Sequence, residues 1–96
     1  MKLYLVHCGF YDPAIADAIF ESHTNFFVAA DSFEDARVRV KEMEGFKERK
    51  MHVDGVQEIN VVNGHRVSLE RDASLGESEN HILSSRHRDL APKAPL

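Results

Sequence analysis

The order of secondary structure is clearest in residues 25–45, NFFVAADSFEDARVRVKEMEG, where an apolar segment runs directly into a helix start. Residues 25–30 are apolar on both alternating faces, which predicts a buried β-strand. Ser32 then supplies a capping hydroxyl, and Asp35 supplies a carboxylate three residues later, as in a variant of the capping box. The segment therefore predicts a strand followed by an α-helix over residues 33–44.

The predicted helix has one apolar face and a defined end. Four residues at helical spacing form that face: Phe33, Ala36, Val40 and Met43. Asp35 precedes Arg39 by four positions, which is the favourable order for an ion pair on a helix. Gly45 stands where a left-handed residue commonly ends a helix.

The segments before residue 25 predict a further strand and a less regular connection. Residues 2–10 are rich in Leu, Tyr, Val and Phe on both faces, which is typical of a central strand. Gly9 near its end indicates a bulge or a close approach by another part of the chain. Asp12 and Pro13 form a good helix start, so residues 11–22 predict either a short helix or a structured loop.

A hairpin is predicted around Asn63-Gly64, between strands over residues 53–62 and 65–70. A two-residue loop would set Val61 opposite Arg66 and leave the apolar face without apolar partners. A three-residue loop, which also includes Val62, sets Val61 opposite His65 and brings apolar residues together. Burial therefore favours the three-residue loop.

These elements give an α+β fold: a small four-stranded sheet with one main helix, in the order β-(loop or short helix)-β-α-β-β. Residues 1–70 form the single domain, and residues 71–96 form a polar C-terminal tail that is flexible or weakly helical. Leu75, Ile82, Leu83 and Leu90 are the apolar residues that would line such a helix.

Composition narrows the class of protein. The chain has 96 residues, 43% of them hydrophobic and 29% charged, which is typical of a globular domain. Its net charge of −4 argues against nucleic-acid binding, which relies on a basic surplus. No apolar run is long enough for a membrane span. We also expect no signal peptide, because His7 interrupts the apolar start of the chain too early for a signal core. A single cysteine excludes an internal disulfide, so we expect a cytoplasmic protein.

Histidines and carboxylates are the candidate ligand-binding residues. The sequence has six histidines, and the candidates are His23, His52, Asp54, Asp12 and Glu21, with His7 also in the folded part. Glu21 and His23, like His52 and Asp54, are two residues apart and share a face of an extended strand. Such pairs suit structural hydrogen bonding as well as metal ligation or acid–base chemistry. Because no motif forces residues 23 and 52 together, we expect each histidine to meet only its local carboxylate.

Cys8 follows His7, but the pair does not form a nucleophile and its base. Adjacent residues of a strand face opposite sides of the sheet, so His7 is badly placed to activate the thiol. We expect Cys8 to be buried and inert. The sequence thus assigns no catalytic residue, no metal and no cofactor.

Several short strings of the chain resemble one family. They are MKLYLVH at residues 1–7, FESH at 20–23, FFVAADS at 26–32, HVD at 52–54 and VNG at 62–64. Their order and spacing resemble a family of small bacterial proteins known only as a domain of unknown function, DUF1543, over about residues 1–70. The resemblance implies a bacterial cytoplasmic protein and no particular activity. Cys8 departs from the apolar residue that this pattern has there.

Two classes of function follow from the sequence. The first is a non-catalytic binding or self-assembly module, with a small-molecule ligand of unknown identity. The second is a small metal-binding or acid–base enzyme that uses His23, His52 and nearby carboxylates, so whether the protein is an enzyme stays open. Small domains bury too little surface to be very stable, and two strands here are apolar on both faces. We therefore expect a homodimer.

Overall fold

Three antiparallel strands and one helix form the centre of the computed structural model, which describes residues 1–86. The elements are β1 (Lys2–Tyr11), β2 (Glu21–Ala30), α1 (Phe33–Val40), β3 (His52–Ile59), β4 (Val61–Val62) and β5 (His65–Arg66). The main sheet has the order β2-β1-β3, and β4 pairs with β5 in a separate two-stranded sheet. The α+β class is confirmed, whereas a single four-stranded sheet is not formed. The element order also differs from the prediction, because the predicted strand 53–62 is divided into β3 and β4, and the predicted strand 65–70 ends at Arg66.

The core lies between one face of the main sheet and α1. The buried hydrophobic residues of β1 alternate along the strand, as expected when one face packs against a core, and they are Tyr4, Val6, Cys8 and Phe10. Val28, Ala30, Ala36, Val40, Phe46 and Met51 complete the core. The opposite face of the sheet is not covered by α1, and its residues on β1 include His7 and Gly9.

The start of α1 follows the sequence prediction closely. The backbone N–H of Asp35 donates to Ser32 Oγ over 3.0 Å. The Asp35 carboxylate accepts from the backbone N–H of Asp31 over 2.9 Å and from Arg39 Nε over 2.9 Å. These bonds hold the pKa of Asp35 below its ordinary value. The hydrogen bond from the backbone of Asp31 is the larger cause, and the bond from Arg39 is the second.

The end of the helix lies earlier than predicted. α1 ends at Val40, and i→i+3 bonds from Glu42 and Met43 then close the last turn. Gly45 does have a left-handed backbone, with φ of 90°, but it lies in the turns that follow the helix. These turns return Phe46 to the core, where it is 7% exposed.

Phe33 is not part of the buried helix face. Phe33 is the first residue of α1 and is 43% exposed. The ring still meets the Tyr4 ring edge to face, with centroids 5.3 Å apart. Ala36 and Val40 are buried as predicted, and Met43 packs at the margin of the core.

The connection between β1 and β2 is shorter than predicted. It contains a single 3₁₀ turn, Ala16–Ala18, so of the two predicted alternatives the structured loop fits and the short helix does not. Asp12 Oδ1 accepts from the backbone N–H of Ala14 over 2.9 Å, which is a local turn contact. β2 begins at Glu21 instead of residue 25, because it pairs with β1 along the whole length of both strands, from Tyr11–Glu21 to Lys2–Ala30.

The loop between β4 and β5 has two residues, so the prediction of a three-residue loop is wrong. Val62 pairs with His65 across Asn63 and Gly64, whose φ angles are 49° and 77°. Positive φ at both positions is typical of the type I′ turn that Asn-Gly favours. Val61 and Val62 are 54% and 48% exposed. Because neither face of this hairpin is buried, burial does not set the register of β4 and β5. The type I′ turn sets it instead.

The predicted tail contains only turns where it is described. Residues 67–86 include no helix or strand, and the remainder of the predicted tail, with Leu90, lies outside the described residues. Among the helices of residues 1–86, none has the length and apolar character needed to cross a membrane.

We expect Asp35→Asn to lower the free energy of unfolding at neutral pH, because the ionised carboxylate accepts from Asp31 and Arg39. The folded-state pKa of Asp35 is lowered, so its contribution is present above the ordinary aspartate value, about 3.9. It is lost as the pH falls through the lower folded value. Urea unfolding of parent and variant between neutral and strongly acidic pH measures this difference.

Glu34→Gln is the matched control, since it removes one charge from the same helical turn without touching the Asp35 contacts. Its effect on unfolding should be smaller than that of Asp35→Asn. A difference between parent and Asp35→Asn that stays constant into strong acid would contradict the role of the carboxylate.

Candidate functional site

The open face of the main sheet carries a group of imidazoles and carboxylates around Gly9. Gly9 pairs with His23 on β2 and with His52 on β3, so these two residues flank it on the neighbouring strands. Since glycine has no side chain, the space above it is open to side chains from the two neighbouring strands. We call the five side chains around it the His–carboxylate cluster, which consists of His7, Glu21, His23, His52 and Asp54.

Polar atoms of the cluster occupy the space above Gly9. A Cβ atom at this position would overlap Glu21 Oε1 and would lie 2.7 Å from His52 Nε2 and 2.8 Å from Asp54 Oδ2. The sequence indicated a bulge or a close approach at Gly9. The structure shows a close approach by side chains from both neighbouring strands, and this arrangement requires glycine.

A bulge in β3 places Asp54. His7 pairs with Gly55 and Cys8 pairs with Val53, so Asp54 is an additional residue with no partner on β1. On the N-terminal side of the bulge, His52 lies on the open face. Val53 and Val56, which stand on either side of the bulge, both pack against the core. The bulge therefore keeps both valines at the core while the Asp54 carboxylate stays beside Gly9.

Both carboxylates contact both flanking imidazoles. Glu21 Oε1 lies 2.6 Å from His52 Nε2 and 3.4 Å from His23 Nε2. Asp54 Oδ1 lies 3.1 Å from His52 Nε2, and Asp54 Oδ2 lies 3.3 Å from His23 Nε2. The four side chains thus direct their polar atoms at a common region rather than forming two separate pairs.

His7 joins the cluster from β1. Its ring stacks on that of His23, with centroids 4.8 Å apart and an angle of 9° between the planes. His7 Nδ1 lies 2.7 Å from Asn25 Oδ1. With the amide oxygen as acceptor, Nδ1 donates, and the lone pair of the neutral ring is then on Nε2.

The cluster is accessible to solvent without being fully hydrated. The imidazole side chains of His23 and His52 are 42% and 48% exposed, and the carboxylates of Glu21 and Asp54 are 29% and 33% exposed. An ion or a small polar ligand reaches all four side chains from the open face. Partial burial also strengthens their electrostatic interactions relative to those in bulk water.

Four of the five predicted ligand-binding residues come together, and one does not. Glu21, His23, His52 and Asp54 converge, whereas Asp12 makes its turn contact elsewhere. The expectation that each histidine meets only its local carboxylate is wrong, since His52 contacts Glu21 across 31 positions of sequence. Pairing of β2 and β3 on opposite sides of β1 brings them together, and no local motif encodes this.

Cys8 lies on the other face of β1. It is fully buried in the core, while its neighbour His7 is exposed on the open face, as strand alternation predicts. Burial is the main cause that raises the pKa of the Cys8 thiol, and the Asp54 carboxylate is the second. The thiol is therefore kept protonated and apart from the cluster.

Comparison of the chain with protein-family models, with curated proteins and with solved structures gave no match. The resemblance of residues 1–70 to the DUF1543 family stays a prediction.

We expect Gly9→Ala to disrupt the cluster while leaving the fold in place. The new Cβ displaces Glu21, His52 and Asp54, but the atoms that must move are the ends of exposed side chains rather than backbone. Long-range ¹H–¹⁵N spectra of the imidazoles should show altered His23 and His52 signals. The midpoint of urea unfolding should change little.

Gly55→Ala is the matched control for this experiment. Gly55 lies beside His7 in the same sheet, and a Cβ there would meet no atom within 4 Å. Its imidazole spectra should match those of the parent. Unchanged His23 and His52 signals in Gly9→Ala would show that the cluster does not occupy the space above Gly9.

Proposed function

We propose that the protein is a binding module for a divalent transition-metal ion, which the His–carboxylate cluster holds on the open face of the sheet. The observation that carries the proposal is that donor atoms of Glu21, His52 and Asp54 lie within 4.8 Å of one another, above Gly9. His23 Nε2 lies next to this group, 3.4 Å from Glu21 Oε1 and 3.3 Å from Asp54 Oδ2.

The type of donor favours zinc and its neighbours over calcium or magnesium. Imidazole nitrogen and carboxylate oxygen are common ligands of Zn²⁺, and imidazole also suits Cu²⁺, Ni²⁺ and Fe²⁺. Calcium and magnesium instead favour sites made of oxygen ligands alone. A donor set that includes imidazole nitrogen therefore supports a transition-metal ion.

The spacing of the donor atoms supports the same proposal. Three of the four nitrogen–oxygen distances are 3.1, 3.3 and 3.4 Å. Two ligands of a tetrahedral zinc ion with bonds of about 2.0–2.1 Å lie about 3.3 Å apart. The short contact of 2.6 Å, between His52 Nε2 and Glu21 Oε1, is a hydrogen bond that an incoming ion would replace.

Charge also favours a cation at this place. The two carboxylates approach the same imidazoles, and like charges held close together destabilise one another unless a positive charge lies between them. The chain as a whole carries a net charge of −4. A divalent ion relieves the local repulsion, and the exposed face gives it access.

An acid–base enzyme would use the same side chains, but the surroundings favour a binding module. Enzyme sites commonly lie in clefts that enclose most of a small substrate. The hollow beside His7 is open, and Leu5, Asn25, Gly55 and Gln57 are among the residues that line it. Binding of an ion requires no such enclosure.

We expect calorimetric titration with Zn²⁺ to show saturable binding in the parent, and binding in His52→Ala that is either lower in stoichiometry or weaker by at least about tenfold. The variant removes a nitrogen donor that contacts both carboxylates. Binding should also weaken as the solution is acidified, because protons compete with the metal for its ligands.

His65→Ala is the matched control, because His65 is an exposed histidine of β5 whose Nδ1 contacts the backbone oxygen of Asn63. It should bind Zn²⁺ as the parent does. Equal loss of affinity in His65→Ala and His52→Ala, or no saturable binding in the parent, would refute a metal site at the cluster.

We propose self-association as a second property, in keeping with the homodimer expected from the sequence. The specific observation is Phe27, which is 52% exposed at the centre of β2 and pairs with Leu5 of β1. An exposed aromatic ring on an uncovered sheet face is the kind of residue that anchors interfaces. A second copy of this chain would cover it.

Sedimentation equilibrium at micromolar concentration tests the dimer. We expect the parent and Val38→Asp to be dimeric and Phe27→Asp to be monomeric, since Val38 is 57% exposed but lies on α1, away from the open face. A parent that sediments as a 10.9 kDa monomer would contradict the dimer. So would equal dissociation of the two variants.

A further inference from the structure

We infer that the His–carboxylate cluster holds two transition-metal ions bridged by Asp54. This inference rests on the proposed metal-binding function and adds the number of ions and the role of His7. Neither the sequence patterns nor the single-ion site explains why a third histidine, His7, stacks on His23.

The cluster divides into two donor groups that share one residue. The first group is His7, His23 and Asp54, and the second is Glu21, His52 and Asp54. Within each group the donor atoms all lie within 4.8 Å of one another. Each group of three has enough donors to hold an ion whose remaining positions are taken by water, as in open zinc sites.

Asp54 is oriented as a bridge. Its Oδ1 lies 3.1 Å from His52 Nε2, and its Oδ2 lies 3.3 Å from His23 Nε2. The two oxygens of one carboxylate thus face imidazoles that belong to different groups. Two-metal centres hold their ions about 3.5–4 Å apart, a separation that one carboxylate can span with an oxygen on each ion.

His7 is prepared as a ligand of the first group. Its hydrogen bond to Asn25 Oδ1 places the ring hydrogen on Nδ1 and leaves the lone pair on Nε2. Metal-binding histidines commonly donate their other ring N–H to a neighbouring oxygen in this way. The parallel stack of the His7 and His23 rings holds both imidazoles on the same side of the sheet.

The two positions should differ in affinity. The first group offers two nitrogens and one shared carboxylate, whereas the second offers one nitrogen and two carboxylates, one of them shared. Two dications about 4 Å apart repel each other, so the second ion should bind more weakly than the first. Binding should therefore be sequential rather than in a single step.

Titration with Co²⁺ tests the number of ions, with native mass spectrometry and visible absorption as readouts. We expect the parent to bind two Co²⁺ ions per chain in two steps. His7→Ala and His52→Ala should each bind one, and the control His65→Ala should bind two. Circular dichroism of each variant verifies that it is folded.

Titration of the parent with Cu²⁺, followed by electron paramagnetic resonance, gives a second measure that needs no variant. The first equivalent should give an isolated Cu²⁺ signal, and the second should broaden or suppress that signal by spin coupling between neighbouring ions. One equivalent of Co²⁺ in the parent, unchanged in His7→Ala, would overturn the two-ion centre and leave the single-ion site standing. No binding of either metal would overturn both.

Discussion

The absence of a side chain at Gly9 is the constraint on which the polar face of this protein depends. Gly9 lies in the central strand between His23 and His52, and the ends of Glu21, His52 and Asp54 occupy the space that a larger residue would fill. One residue earlier, Cys8 faces the core and is fully buried. The central strand therefore supports the core with one face and the cluster with the other, so each can change without the other.

The cluster is poorly explained as a source of stability. Ion pairs between partly exposed side chains contribute about 0–1 kcal/mol, and bringing two carboxylates together opposes part of that gain. The apolar burial that drives folding lies instead between α1 and the sheet. A bound cation changes this balance, since a ligand present at 100 times its Kd stabilises the folded state by about 2.7 kcal/mol.

Local features of the fold were predictable from the sequence. The Ser32 cap and the Asp35–Arg39 pair depend on residues within four positions of each other, and both form as the pattern indicates. The early end of α1 was not predicted, because i→i+3 bonds replace the helical pattern after Val40 while Met43 still packs at the core. The two-residue loop at Asn63-Gly64 was not predicted, because burial was assumed where the side chains are exposed. Val62, for example, is 48% exposed, so the turn alone sets that register.

Most residues of the site were predictable, but their convergence was not. Glu21, His23, His52 and Asp54 stand out because the members of each pair are two positions apart, so both share a strand face. Their meeting depends on the strand order β2-β1-β3 and on the bulge at Asp54, which are set by pairing between distant segments. No short-range pattern reports either feature.

Anomalous diffraction at the zinc absorption edge, from crystals of the zinc-loaded protein, tests the metal centre most directly. We expect a zinc peak at the His–carboxylate cluster, bonded to His52 Nε2 and to the carboxylates of Glu21 and Asp54 at distances of about 2.0–2.2 Å, and a second peak at His7, His23 and Asp54 when both positions are filled. A zinc peak at His65 or His81 with none at the cluster, or no ordered zinc, would contradict a metal centre on the open face of the sheet.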